Sequence, residues 1–443
     1  MINIKLLQSK RTRRLFKESF WIVLGQTMVV VGSLVGVRLI TELLNPSEYG
    51  ELALGMTVAV LVNQVVFGPL SNGAIRFYAP AQEKGDLRGY LNAVHWLALS
   101  VIGFIVFLLL FTVVGLLISE QTEWIAITTV AFVFAVFSGY NSILNGIQNA
   151  ARQRSIVALH QGMASWARFL IAAGLLMWLG ASSTLVMIGY LMAIILVIGS
   201  QYVFFRKIIP EKVLEVNNGK KWREQIWKYS WPFASWGIFT WAQLASDRWA
   251  LGIFATTQSV GLYSVLFQLG YYPMSLGTGM AVQLMAPIFY QRVGDASDKG
   301  RNARVNALSW HLIWLALGVT CSAFMVALLL HTKIFQIFVA KEYMPVSHLL
   351  PWMLLSGGVF ASGQIISLYI TSQMKTQEMV VGKIATASLG VILNFIGAYL
   401  FDITGVVVSS VIFSIMFFFW MIAISKKINT VSGAGLRGKK YAR

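Results

Sequence analysis

Four charged residues lie well inside the long apolar stretches of this 443-residue sequence: Arg38, Arg168, Asp247 and Arg248. Charged side chains are costly in the hydrocarbon core of a membrane, so those that occur there are candidates for a binding or transport function. A guanidinium stays charged when it is buried and binds two phosphate oxygens at once. Three cations and one anion therefore favour an anionic ligand.

The position of each residue in its stretch leaves different alternatives open. Arg38 and Arg248 lie near helix ends, where they either bind a ligand, extend to the membrane surface, or pair with Glu42 or Asp247. Arg168 lies near the middle of its stretch, which favours a position lining a cavity. Asp247 is the one candidate for coupling to a proton or sodium ion, although pairing with a neighbouring arginine is favoured.

Uncharged polar and aromatic residues extend the candidate binding surface. Asn141, Asn145 and Gln148 are spaced i, i+4 and i+7, so they share one helix face. That face is expected either to line a cavity or to hydrogen bond to a neighbouring helix. Trp236 and Trp241 lie in mid-stretch, where they either stack on sugar rings or pack within the protein, and packing is favoured.

Arg76 follows the second apolar stretch and is a candidate for binding phosphate at the inner mouth of a cavity, with a plain surface cation as an equal alternative. The five histidines lack the spacing of metal ligands, and no glycine-rich nucleotide-binding loop followed by lysine occurs. The sequence therefore predicts no metal site, no ATP hydrolysis and no other cofactor. It favours a transport protein over an enzyme.

The composition identifies the elements that must position these residues. The chain is 57% hydrophobic and 12% charged, against roughly 25% charged residues in a soluble domain. Twelve apolar stretches reach the length of a spanning helix, which is about 20 residues, and their continuous apolarity is typical of helices rather than barrel strands. They cover residues 19–44, 49–72, 89–118, 124–148, 155–179, 183–205, 229–253, 260–287, 305–330, 346–372, 380–401 and 404–425. The predicted fold class is an all-α polytopic membrane protein.

The net charge of +18 is distributed unevenly along the chain. With a cytoplasmic N-terminus, the inner connections and both termini hold 30 of the 35 lysines and arginines, whereas the outer connections hold two. This alternation follows the positive-inside rule and predicts that both termini are cytoplasmic. Nucleic-acid binding is disfavoured because no basic cluster lies on a soluble domain.

The longest inner connection divides the stretches into two sets of six. NAVHW at residues 92–96 recurs as NALSW at 306–310, and both sets begin and end on the same membrane side. These features predict a parallel repeat of two pseudo-symmetric six-helix lobes. The predicted segments are a basic N-terminus (1–18), a first lobe (19–205), a cytoplasmic linker (206–228), a second lobe (229–425) and a basic tail (426–443).

Three motifs carry a resemblance to a known family: LLNPSEYGELAL between the first two stretches, RFYAP after the second, and GIQNAARQRSI between the fourth and fifth. They resemble the polysaccharide-exporter branch of the multidrug/oligosaccharidyl-lipid/polysaccharide flippase superfamily, especially its Wzx-type O-antigen flippases. The resemblance implies a MATE-like fold in the bacterial inner membrane. It also implies alternating access through a cationic central cavity, which translocates undecaprenyl-diphosphate-linked oligosaccharide for O-antigen, capsule or exopolysaccharide synthesis. Membrane lipids and a polysaccharide polymerase are the implied partners.

Two other functions stay open. A cation-coupled drug exporter of the same superfamily would share the architecture, but its cavity is expected to be acidic. A membrane glycan polymerase or ligase would need a large outer loop with catalytic residues, whereas the outer connections are short. Lipid II flippases of the superfamily typically have two further helices, which are not found among the twelve stretches.

Overall fold

The computed structural model describes residues 10–208, 219–294 and 298–440, and within these ranges the chain is helical without a β-strand. Nine helices in the described ranges are long and apolar enough to cross a membrane. The prediction of an all-α polytopic membrane protein is therefore confirmed. The number of twelve spans stays a prediction.

The chain divides into two compact units, the first ending at Ala245 and the second beginning at Ser246. This division falls within one helix, α8 (Gly219–Phe254), and not in the connection before it. The predicted segments, including the linker over 206–228, stay predictions, although residues from Gly219 onward are helical. In the first turn of α8, Trp222 is buried and donates a 2.8 Å hydrogen bond from Nε1 to Oδ2 of Asp86.

Seven helices precede α8 in the described part of the first unit: α1 (Lys10–Leu43), α2 (Pro46–Val62), α3 (Gly68–Glu83), α4 (Leu87–Ile118), α5 (Glu123–Ala150), α6 (Arg154–Leu179) and α7 (Ser183–Phe205). A π-helical turn, Asn63–Phe67, joins α2 to α3. The start of α2 is well defined, because the Asn45 side chain accepts a hydrogen bond from the backbone N–H of Glu48 and Pro46 occupies the first turn.

Small residues let α1, α6 and α7 approach closely. A Cβ atom on Gly25 of α1 would lie 2.8 Å from Cβ of Ala158 on α6. A Cβ atom on Gly189 of α7 would lie 2.6 Å from Cα of Ala172, also on α6. Spanning helices associate mainly through such close packing, since lipid is as apolar as their side chains. Close packing on both sides therefore fixes α6, the helix that carries Arg168.

The second unit contains α9 (Thr257–Leu269), α10 (Tyr271–Val293), α11 (Lys299–Phe338), α12 (Leu350–Ser372) and α13 (Thr376–Lys440), together with the end of α8. A 3-10 segment, Lys341–Leu349, precedes α12. The predicted stretch 260–287 is interrupted, because α9 ends at Leu269 and α10 begins after Gly270.

The helix α13 folds back on itself at Phe401 and Asp402, whose backbone angles are not helical. Asp402 has φ of +51°, a left-handed conformation that is uncommon outside glycine. Its Oδ2 atom accepts a 3.0 Å hydrogen bond from the Ser259 hydroxyl, which stabilises the turn. The Ser409 hydroxyl donates to the carbonyl of Leu393 at 2.7 Å and so links the two arms. The break falls between the predicted stretches 380–401 and 404–425.

Candidate functional site

Arg168 lies inside α6, 11 residues before the last residue of the helix, Leu179. At 1.5 Å per residue this places it about 16 Å from the nearer helix end. Its Cζ atom is 4.5 Å from the centre of the Phe169 ring and 5.7 Å from the centre of the Tyr190 ring. The Nε atom is buried and has no hydrogen-bond partner among the described residues.

Four helices contribute to this aromatic environment. Phe169 of α6 meets Tyr190 of α7 edge to face, with ring centres 5.6 Å apart. Phe134 of α5 lies 6.4 Å from Tyr190 on another side. Gly36 of α1 faces the Phe169 ring, where a larger residue would overlap it. The Arg168 guanidinium is therefore held beside packed aromatic rings whose own positions are well restrained.

The chemistry of this environment suits an anion. Aromatic faces attract a guanidinium through their quadrupole, but they leave the N–H groups without a strong acceptor. A buried donor that lacks a partner costs roughly 1–3 kcal/mol. A phosphate oxygen would supply the acceptor and neutralise the charge in one contact.

Arg38 forms an ion pair with Glu42, one turn later on α1. Their side chains are 39% and 49% exposed, respectively. Exposed ion pairs contribute about 0–1 kcal/mol, so this pair is a weak restraint on the guanidinium. This pair is one of the alternatives that the sequence leaves open for Arg38.

Asp247 and Arg248 form a much more buried ion pair in the second unit, with Nη1 and Oδ1 3.2 Å apart. The Asp247 side chain is only 6% exposed, and its Oδ2 atom also accepts a 2.8 Å hydrogen bond from the Tyr263 hydroxyl. The Arg248 guanidinium lies 4.6 Å from the centre of the Phe267 ring. The carboxylate is thus satisfied by two side chains, and the favoured pairing with a neighbouring arginine is present.

Asn141, Asn145 and Gln148 share one face of α5, and this face meets Gln201 of α7. Asn141 donates to Gln201 at 2.7 Å, and Asn145 donates to Asn141 at 2.9 Å. Gln201 in turn donates to Asn145 at 2.8 Å and to Gln148 at 2.5 Å. This face was expected either to line a cavity or to hydrogen bond to a neighbouring helix, and the described contacts are hydrogen bonds to α7.

Of the other three candidate residues, the structure describes the side chains of Arg76 and Trp241. Arg76 is exposed on α3. Trp241 of α8 donates from Nε1 to the carbonyl of Thr57 on α2 at 2.8 Å, so its ring packs within the first unit. The Trp236 side chain lies outside the described part of the structure. Among the described residues, no cluster of three or more His, Cys, Asp or Glu has the arrangement of a metal site.

Several contributing residues were not predicted from the sequence. Phe169 and Tyr190 are ordinary aromatic residues in apolar stretches, and nothing local distinguishes them from packing residues. Gln201 carried a usable signal, since it is a carboxamide in an apolar stretch like Asn141 and its neighbours. Tyr263 also lies in an apolar stretch, and only the contact of its hydroxyl with Asp247 distinguishes it from a packing residue.

Comparison with known sequences places the chain among polysaccharide biosynthesis proteins. Residues 15–293, more than half of the chain, match the family described as "Polysaccharide biosynthesis protein". No individual curated protein matches the sequence.

Solved structures with the same fold include flippases and transporters. The lipid II flippase MurJ in an inward closed conformation aligns with a TM-score of 0.69 and 14% identity, over 93% of this chain and 87% of MurJ. An inward-facing multidrug resistance MATE family transporter of the MOP superfamily aligns with a TM-score of 0.67 and 13% identity, over 92% of this chain and 96% of the transporter. An outward-facing conformation of such a transporter aligns at 0.63 and 14% identity, over 98% and 99%. At these identities the likeness establishes a MurJ- and MATE-like fold.

Proposed function

This chain belongs to the polysaccharide biosynthesis protein family, and we propose that it is a flippase for undecaprenyl-diphosphate-linked oligosaccharide repeat units. The units would serve O-antigen, capsule or exopolysaccharide synthesis. Such a substrate combines an anionic diphosphate, a polar glycan and a long apolar tail. Its transporter must therefore offer a buried cation within a membrane-spanning fold.

The observation that carries the proposal is the state of Arg168. It is a charged residue in mid-helix, its Nε atom is buried, and no acceptor for that atom occurs among the described residues. Intramembrane cations of this kind mark substrate pathways in transport proteins. The diphosphate would supply an acceptor for this atom, which the described residues do not provide.

The remaining candidates have supporting roles in the proposal. Arg38 and Arg248 exchange their carboxylate partners for diphosphate oxygens during transport, and the Arg38 side chain, at 39% exposed against 14% for Arg248, is the more accessible of the two. Arg76 contacts the diphosphate at the inner mouth. The amide cluster around Asn141 and the tryptophans Trp236 and Trp241 contribute to glycan contacts only where transport movements expose them.

The cellular arrangement follows from the charge distribution and the repeat. Both basic termini lie in the cytoplasm, and the protein resides in the bacterial inner membrane. Two similar lobes support alternating access, as in other transporters built from repeats. The lipid-linked repeat unit is delivered to a polysaccharide polymerase on the outer side.

Complementation of a flippase-deficient strain tests the function. Arg168→Ala, inserted at the wild-type level, is expected to reduce surface polysaccharide about tenfold or more, because a hydrogen-bonded charge contact is lost. Arg206→Ala is the matched control, since Arg206 is an exposed arginine of the same unit, and it should restore polysaccharide fully. Failure of the wild-type chain to complement strains with several defined repeat units would argue against the proposed function.

A cation-coupled drug exporter is the second candidate, because Asp247 is a buried carboxylate within a helix. Its hydrogen bond from Tyr263 and its ion pair with Arg248 favour a structural role over ion coupling. Overexpression of the chain distinguishes the two candidate functions, since an exporter would raise the resistance of the cells to cationic drugs and the proposed flippase would not.

A further inference from the structure

The second unit has an apolar groove between α10, α11 and α12. Its volume is about 300 Å³, and its lining is almost entirely apolar. Small residues open the groove, among them Gly277 and Ala281 of α10 and Ala316 of α11. A Cβ atom added to Gly277 would meet no other atom within 4 Å, so the groove has room for a ligand chain at this point.

A cluster of three arginines lies at the ends of two of these helices, α10 and α11. Arg292 is in the last turn of α10, and Arg301 and Arg304 are in the first turns of α11. Together with Gln291 and Val305 they line a depression of about 340 Å³. All three arginines are exposed.

One described carboxylate, Asp298, lies beside this cluster. It caps α11 by accepting hydrogen bonds from the backbone N–H groups of Gly300 and Arg301. Its Oδ2 atom is 3.8 Å from Nε of Arg301, a long and exposed contact. The segment 291–305 carries four basic and two acidic residues, so an excess of positive charge remains.

The spacing between groove and cluster matches a membrane lipid. Arg292 follows the groove residue Met285 by seven positions, and Arg304 precedes the groove residue Leu312 by eight. At 1.5 Å per residue these separations are about 10–12 Å. The headgroup layer extends roughly 5–8 Å beyond each side of the hydrocarbon core. One lipid can therefore place an acyl chain in the groove and its phosphate at the arginines.

We propose that the groove and the arginine cluster bind one anionic glycerophospholipid of the cytoplasmic leaflet. Charge complementarity selects the headgroup, because basic pockets between spanning helices on the cytoplasmic side bind anionic lipid headgroups. The arginines lie at helix ends, where bulk phospholipid is present, whereas Arg168 lies in mid-helix. The site is therefore distinct from the proposed transport substrate site.

Thermal unfolding of the purified full chain in neutral detergent tests this site. Phosphatidylglycerol should raise Tm at lower concentration than phosphatidylcholine does. The combined change Arg292→Gln, Arg301→Gln and Arg304→Gln should weaken the phosphatidylglycerol effect about a hundredfold and leave the phosphatidylcholine effect unchanged. Gly277→Leu should weaken both effects, because its side chain fills the groove, and it also tests the site if the triple variant does not fold.

The matched control changes Arg206→Gln and Lys207→Gln, two exposed cations of the first unit, and should retain the wild-type response. Equal responses to the two lipids in the wild type, or a wild-type response of the triple and Gly277→Leu variants, would overturn the proposal. A competition experiment could also overturn the proposal. If undecaprenyl diphosphate displaces phosphatidylglycerol from both the wild type and Arg168→Gln, the groove holds the transport substrate instead of a separate lipid.

Discussion

Gly36 of α1 lies directly against the ring of Phe169 on α6, with no space for a side chain between them. The centre of the same ring lies 4.5 Å from Cζ of Arg168. Because Gly36 has no side chain, the Phe169 ring can pack against α1, and this packing in turn positions the ring that contacts the Arg168 guanidinium.

Gly36→Ala is expected to displace Phe169 and to lower the free energy of unfolding by about 1–3 kcal/mol, the usual effect of overpacking. Thermal unfolding in detergent measures this change. Gly174→Ala is the control, because a Cβ on Gly174 of the same α6 meets no atom within 4 Å. Equal unfolding temperatures for both variants would contradict the described packing of α1 on α6.

The buried pair of Asp247 and Arg248 predicts a non-additive response. Asp247→Asn or Arg248→Gln alone should destabilise the protein by about 3–5 kcal/mol, because each leaves one charge buried without its partner. The double variant should be less destabilised than the sum of the two. A double-mutant cycle on thermal unfolding measures the coupling, and strict additivity would show that the two charges do not depend on each other.

Asp247→Asn also distinguishes a structural role of the Asp247 carboxylate from a role in coupling transport to an ion gradient. If the carboxylate is structural, the dependence of lipid-linked oligosaccharide uptake on a pH gradient in vesicles should be unchanged, although less protein will be folded. Abolished dependence at equal amounts of folded protein would instead identify Asp247 as the coupling residue.

Gln201 links three carboxamides of α5 to α7, so Gln201→Ala should be more damaging than a typical polar substitution. It removes the partner of Asn141, Asn145 and Gln148 together. Each buried group left unsatisfied costs roughly 1–3 kcal/mol. Asn149→Ala, an exposed position on the same helix, should have little effect on Tm. A similar Tm for both variants would mean that the amide cluster does not stabilise the helix pair.

The amino-acid sequence predicted the helix faces correctly but not their partners. The i, i+4, i+7 spacing of Asn141, Asn145 and Gln148 follows from helical geometry alone. Their partner, Gln201, lies 53 residues after Gln148, and helical periodicity contains no information about which neighbouring face it meets. The donor to Asp247, Tyr263, is likewise on another helix.

The start of α8 shows the same limit. The basic residues between 206 and 228 indicated a cytoplasmic linker, but they gave no sign that Trp222 would be buried in a helix that begins at Gly219. Tertiary contacts with Asp86 and the aromatic rings of Phe77 and Tyr90 outweigh the local polarity. Such contacts become visible only when the chain is folded.

The most direct measurement is the affinity of the purified protein for undecaprenyl diphosphate, compared with uncharged undecaprenol. The wild type and Arg206→Gln should bind the diphosphate more tightly than the alcohol. Arg168→Gln should weaken binding of the diphosphate by about tenfold to a hundredfold, because a hydrogen bond to a charged group is lost, and leave binding of the alcohol unchanged. Unchanged affinity of Arg168→Gln for the diphosphate would contradict the assignment of Arg168 as the residue that binds the anionic substrate.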